Sequence, residues 1–215
     1  MDTQNFLTDK VGSEGLPILN EEDWIAIHSE LTKDQFREAI AEWIVTNNPP
    51  YPRKISLQNP QKADKRFLEL CRKSMSKHII PKEQTKDVLE KFSDYKRPYS
   101  THGLGVINCG AEFNVISDYP MYEERMKCGS HTSPSPMEKW QDKKELERIF
   151  KYFHRLDNKS LLFGKYISAF RLGSYLATQF KPPVAKAIYT MTRAKKILDT
   201  SSGWGDRLTG FYTTP

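Results

Sequence analysis

Apolar residues recur at helical spacing over most of the chain, and turn residues separate the runs. Asn20 stands before Glu21-Glu22-Asp23-Trp24 and caps a short helix with an acidic first turn. Thr32 or Asp34 opens a longer helix. Phe36, Ile40, Trp43 and Ile44 share one side of it, and Asn47-Asn48-Pro49-Pro50 stops it. Asp64 starts a third, with Phe67, Leu68, Cys71 and Met75 on one face and Lys65, Arg66, Arg72 and Lys73 mostly off it. A further helix runs from about Lys82 to Phe92 and packs Val88 and Leu89. Gly103, Gly105 and Gly110 interrupt the run Leu104 to Ile107, which reads as a hairpin or irregular loop with Phe113 to Ser117 as a second strand.

Ser133-Pro134-Ser135-Pro136 is a turn that launches a helix at Met137-Glu138-Lys139-Trp140. Its period continues through Leu146, Ile149, Phe150 and Phe153, and Asp157-Asn158-Lys159 ends it. Lys159 to Phe180 is apolar and aromatic with Gly164 and Gly173 inside, a pattern that fits helix or strand. Pro182 and Pro183 open a helix whose apolar side is Val184, Ala185, Ile188 and Tyr189. Lys196 to Asp199 then reads as a short strand, followed by a tight loop at Ser201 to Gly205 and the start of a helix. Residues 1–20 hold two glycines and a proline with little periodicity, which points to an arm.

Composition sharpens this picture in two places. The chain of 215 residues is 38% hydrophobic and 28% charged, long enough for one large domain or two small ones. Its net charge of +6 is unevenly spread. Residues 1–30 carry seven Asp or Glu against one Lys, whereas residues 53–98 carry thirteen Lys or Arg against six Asp or Glu. A basic block of that kind suits a phosphate backbone, and also suits a solvated helical surface. No run nears the roughly 18 apolar residues of a membrane span, and the acidic start is unlike a signal peptide, so a cytoplasmic setting is expected.

The residues that carry chemistry fall in three places. Gly203-Trp204-Gly205 gives the spacing G-x-G after Asp199, where glycine lets a backbone approach a cofactor and an acid can accept hydrogen bonds. Asn48-Pro49-Pro50-Tyr51 sets a polar side chain, a proline carbonyl and an aromatic ring side by side. The same four residues also make an ordinary helix stop. Cys109 and Cys128, with His102 and His131, lack any C-x-x-C pair, so no metal site is expected. Three scattered cysteines fit a reducing interior.

Lys181-Pro182, a short amphipathic helix and a strand ending in Asp199-x-x-x-Gly203-x-Gly205 together resemble the join of two motifs in class I S-adenosylmethionine-dependent DNA amino-methyltransferases. Phe180-Lys181-Pro182 with Ala185-Lys186, and Asp199 through Arg207-Leu208 with Gly210, are similar to a group of phage and large-virus DNA methylase-like proteins. Arg125-Met126-Lys127-Cys128 and Ser135-Pro136-Met137-Glu138-Lys139-Trp140 resemble that group's middle region, so the likeness covers roughly the last ninety residues. Thr200 stands where those enzymes usually carry proline, and Trp204-Gly205-Asp206 replaces a run of small residues.

The resemblance implies an α-rich α/β fold. A largely helical region over residues 21–160 would recognise DNA, and residues 161–215 would begin a Rossmann-like methyltransferase domain with its first strand and glycine loop. It implies methyl transfer from S-adenosylmethionine to a base exocyclic amine, adenine in the first instance. Lys181, Pro182, Asp199, Ser201, Ser202, Gly203, Gly205 and Arg207 would then be the cofactor-binding residues. Asn48, Pro49, Pro50 and Tyr51 are the catalytic candidates, and Lys65, Arg66, Arg72, Lys73 and Lys77 the DNA-binding ones.

The chain stops at Pro215, before the second strand whose carboxylate would hold the ribose hydroxyls. On that reading it is a fragment, or one part of a larger assembly. The cofactor would bind only where a downstream segment or an oligomer partner completes the pocket. The alternative is a non-catalytic module that binds DNA or protein and keeps a remnant of the methyltransferase fold.

Overall fold

The computed structural model describes residues 2–53, 57, 59–75, 79–80, 105–106, 110–156, 159–193, 195–201 and 203–215. It divides into two compact units that do not follow chain order. Unit 1 is Met1–Ile55 with Tyr122–Ala177, and unit 2 is Ser56–Met121 with Thr178–Pro215.

Unit 1 is built from helices whose starts are set by local caps. Helix α1, Thr3–Asp9, begins where the Asp2 carboxylate accepts from the Gln4 and Asn5 amides. Helices α2 (Glu21–Glu30) and α3 (Lys33–Asn47) open with reciprocal capping boxes, Asn20 with Asp23 and Thr32 with Gln35. Residues 1–20, expected as an arm, instead fold into the unit. Leu7, Leu16 and Leu19 are fully buried, and the backbone of Leu19 pairs with that of Leu161.

The helix expected from Met137 to Phe153 is three. Helix α6 (Pro136–Trp140) starts at the Ser135 capping box, α7 (Lys143–Phe150) at Asp142, and α8 spans Phe153–Leu156. Asp142 accepts from the Lys144 and Glu145 amides, so it is a cap, which periodicity alone does not reveal. The ambiguous stretch resolves into helix α9 (Phe163–Gly173), after which residues 174–181 run as irregular chain.

The core of unit 1 is aromatic. Trp140, Phe150, Phe153, Tyr166 and Phe170 are nearly or fully buried, and their rings meet mostly edge to face. Each polar handle in this core finds an acceptor. Trp140 Nε1 donates to the Pro49 carbonyl at 2.8 Å, and the Tyr166 hydroxyl donates to the Pro17 carbonyl at 2.8 Å.

Unit 2 contains helix α4 (Pro60–Arg72), the first half of α5 (Val115–Met126), α10 (Pro182–Thr192) and α11 (Asp206–Tyr212). Helix α4 starts four residues before Asp64 because Pro60 takes its first position. It buries Ala63 and Leu70, whereas Leu68, expected inside, is 52% exposed. Phe113 to Ser117, expected as a strand, is a 3-10 turn (Ala111–Asn114) running into α5.

The α/β expectation is overturned. Among the described residues the only ladder is a two-residue antiparallel pair, β1 (Ile79–Ile80) with β2 (Gly105–Val106), and there is no parallel sheet. Residues 197–199 take no regular secondary structure and join no ladder among the described residues, and Leu198 is 90% exposed, so the strand expected from Lys196 to Asp199 is absent. A first strand of a Rossmann-like sheet would be buried on both faces. The helix expected over Lys82 to Phe92 lies outside the described residues.

Candidate functional site

Charge separates the two units. Unit 2 carries 17 Lys or Arg against 10 Asp or Glu, while unit 1 carries 16 against 17. The positive excess of the chain therefore belongs to unit 2, and α4 carries four of its basic residues with two acids, Asp64 and Glu69. At 100° per residue, Lys62, Lys65, Arg66 and Arg72 fall within an arc of about 120°. Lys62, Lys65 and Arg72 are exposed and make no ion pair among the described residues. Arg66 is held by Glu69 at 2.5 Å, and both Arg66 and Lys73 lie over the Phe113 ring. Four of the five expected DNA contacts thus share one face or its end, and Lys77 lies outside the described residues. Lys62 was missed because the expected helix began at Asp64. Pro60 was the signal for an earlier start.

The C-terminus of α4 is fixed from across unit 2. Lys186 of α10 is 1% exposed, and its ammonium donates to the carbonyls of Leu70, Cys71 and Lys73, the last two at 3.0 and 3.1 Å. Carbonyls at a helix end lack the full set of intrahelical donors, and of these three that of Leu70 also accepts locally, from the Lys73 amide at 3.2 Å. Burial lowers the Lys186 pKa from its ordinary value, while the neighbouring Cys71 acts in the opposite sense.

The glycine loop forms as expected, between α10 and α11 rather than after a strand. Gly203 and Gly205 have φ of +62° and +87°, backbone that side chains resist. The Asp199 carboxylate accepts from the Ser201 amide at 3.0 Å and from Arg207 Nε at 2.7 Å, closing the loop on itself. Those two bonds, the arginine's foremost, lower the Asp199 pKa. The Arg207 guanidinium also lies over the Phe180 ring at 5.7 Å. An apolar cavity of about 230 Å³ adjoins the loop, lined by Tyr189, Ile197, Asp199, Gly205, Arg207, Leu208 and Phe211.

Lys181 is the N-cap residue of α10 and Pro182 its buried first residue, both in unit 2 with the loop. Ser202 lies outside the described residues. Behind the loop, Asp206 is 1% exposed and accepts from the Ser117 hydroxyl, which in turn accepts from Gln179 Nε2 at 3.0 Å. Nothing local in the sequence pointed to this trio, because Ser117 and Asp206 are 89 residues apart.

Asn48-Pro49-Pro50-Tyr51 lies in unit 1 and has structural employment. Asn48 takes the left-handed conformation (φ 46°, ψ 49°) and ends α3, its amide bonded to the Ile44 carbonyl at 2.8 Å. The Pro49 carbonyl, the group a catalytic loop would offer to an amine, already accepts from Trp140. The Tyr51 ring packs edge-on against Trp140 and Phe170, and burial raises its hydroxyl pKa well above the ordinary value. These contacts account for the Pro-Pro-Tyr run as a wall of the aromatic core.

Among the described residues no group of three or more His, Cys, Asp or Glu is placed to hold a metal ion. None of their helices is long and apolar enough to cross a membrane. Comparison of the chain with protein-family models, with curated proteins and with solved structures finds no match in any of the three.

Proposed function

We propose that this protein binds double-stranded DNA through the exposed basic face of α4. The observation that carries the reading is the placement of Lys62, Lys65 and Arg72 on one side of a helix whose other side is core, in the unit that holds the chain's positive excess. Phosphate contacts of this kind supply affinity without sequence choice. Fluorescence anisotropy with a short duplex at two or more salt concentrations tests it. Three phosphate contacts give a log–log slope of about −2.7. Salt-independent binding, or none at low salt, removes the proposal. Such a role belongs in the cytoplasm, of the host cell if the protein is viral.

A second reading is favoured by the loop of residues 199–207. Two glycines with positive φ leave its backbone open to close approach, and the Asp199–Arg207 pair sets its width. In this reading the loop touches the methionine half of S-adenosylmethionine, and the DNA bound by α4 supplies a base amine for methylation. The second carboxylate of the loop, Asp206, is buried and accepts from Ser117 rather than facing a ribose, so these 215 residues should show negligible affinity for the cofactor in isothermal titration. Micromolar affinity would mean that other residues of the chain complete the pocket. A gene product extended past Pro215 that also fails to bind would remove the methyltransferase reading and leave the DNA-binding one standing.

A further inference from the structure

His28 lies in the last turn of α2 and His154 in α8, 126 residues later, yet their Nε2 atoms meet at 2.9 Å. The other nitrogen of His28, Nδ1, is 2.9 Å from the Trp24 carbonyl oxygen. A carbonyl can only accept, so the proton of neutral His28 sits on Nδ1 and its Nε2 is a bare lone pair. His154 must then be the donor, with its proton on Nε2. The contact therefore specifies one tautomer for each ring and needs His28, the acceptor, to be neutral. A second proton on His28 would set N–H against N–H and abolish the bond.

The surroundings oppose added positive charge. The His28 ring stacks on Trp24 with centroids 4.2 Å apart, and both histidines lie against Phe36. The charged side chains that bear on the pair are cations: Lys33 and Arg37 of α3 and Lys165 of α9. Arg37 is itself paired with Asp34, and Lys165 lies over the Trp24 ring. Two imidazole nitrogens at this distance could also grip a metal cation. The three nearby cations, and the want of a third ligand among the described residues, favour the proton instead.

We propose that the His28–His154 contact is an acid-released latch, which holds the end of α2 onto α8 at neutral pH and lets go when His28 takes up a second proton. Burial first, then His28 and the three cations, pushes His154 down to about 4, and burial lowers His28 as well. In the unfolded chain both rings would titrate near 6.5. Below that value the unfolded state binds protons that the latched state refuses, so the latch weakens as pH falls below about 6.5 and is strongest above it. A cavity of about 520 Å³ bordered by Trp24, Ile25, His28 and Lys33 already opens beside the pair. Release exposes the Trp24 and Phe36 rings behind it.

Long-range nitrogen–proton NMR of the histidine side chains in the whole chain tests the latch. At pH 7.5 His28 should show Nδ1–H and His154 Nε2–H, and both rings should protonate below pH 6.5, His154 the lower of the two. Amide exchange over α2, measured relative to α10, should quicken at least about tenfold between pH 7 and pH 5. His154→Gln offers an N–H donor to neutral His28 and, with its amide turned over, a carbonyl acceptor to charged His28, so α2 should stay protected to lower pH. Reversed tautomers, a ring that titrates near 6.5, or α2 exchange that does not respond to pH would each overturn the proposal. The tautomers are read on the unmodified protein, so the result stands even if the variant fails to fold.

Discussion

A buried lysine does at the end of α4 what a left-handed glycine does at many helix ends. The Lys186 ammonium satisfies three carbonyls, and hydrogen bonds from a charged donor are each stronger than neutral ones. Lys186→Met keeps the length of the side chain and removes the donor. The Cys71 and Lys73 carbonyls then lose this donor and the Leu70 carbonyl keeps the Lys73 amide, at a cost of about 2–3 kcal/mol. Urea unfolding measures the loss, and faster amide exchange in the last turn of α4 locates it. A change below about 0.5 kcal/mol would mean that water replaces the ammonium. Sequence reading placed Lys186 only within a motif. Its role rests on contacts more than 110 residues away, such as Leu70 at a separation of 116, which spacing along the chain does not record.

Packing between elements turns on a second glycine. A side-chain carbon at Gly210 of α11 would meet the Ala185 side chain head-on and come within 2.8 Å of the Lys186 backbone nitrogen, so α10 and α11 are in backbone contact there. Gly210→Ala forces them apart and should lower stability by about 1–3 kcal/mol. Gly164, near the start of α9, has open space around it. Gly164→Ala should raise stability by about 0.5–1 kcal/mol through helix propensity and the unfolded chain. Thermal unfolding of the two variants checks the pair, and equal effects would contradict the packing argument.

The elements that could be read in advance were those with local signals. Asn20, Thr32 and Ser135 cap helices through residues three positions on, and Pro182 opens α10. The missing strand shows the limit of such signals. Ile197-Leu198 has the composition of a strand, but a strand needs a neighbour, and among the described residues none lies beside it. The loop's glycines were legible because their spacing carries the demand for positive φ. The Asp206–Ser117–Gln179 trio was not, since only the folded chain brings it together.

At the scale of the whole molecule the distribution of charge makes the sharpest distinction. The two units have nearly equal numbers of basic residues, 17 and 16, so basic content alone does not select a DNA-binding face. What differs is the acidic count and the arrangement. On α4 the exposed Lys62, Lys65 and Arg72 share a stripe whose one carboxylate, Glu69, is taken up by Arg66, whereas on unit 1 the exposed Lys144 sits beside Asp142, Glu145 and Glu147. A duplex integrates potential over many phosphates within a Debye length of about 8–10 Å, so interspersed carboxylates cancel what a lysine offers. Lys65→Gln and Arg72→Gln should therefore each weaken DNA binding about 5–10-fold near 0.1 M salt and lower the magnitude of the salt slope by about 1. Lys144→Gln and Arg171→Gln remove the same charge from exposed positions of unit 1 and should change neither quantity. Anisotropy titrations of the four variants decide between a localised face and diffuse attraction. If all four weaken binding alike, net charge of +6 rather than α4 is responsible, and the site as drawn is wrong.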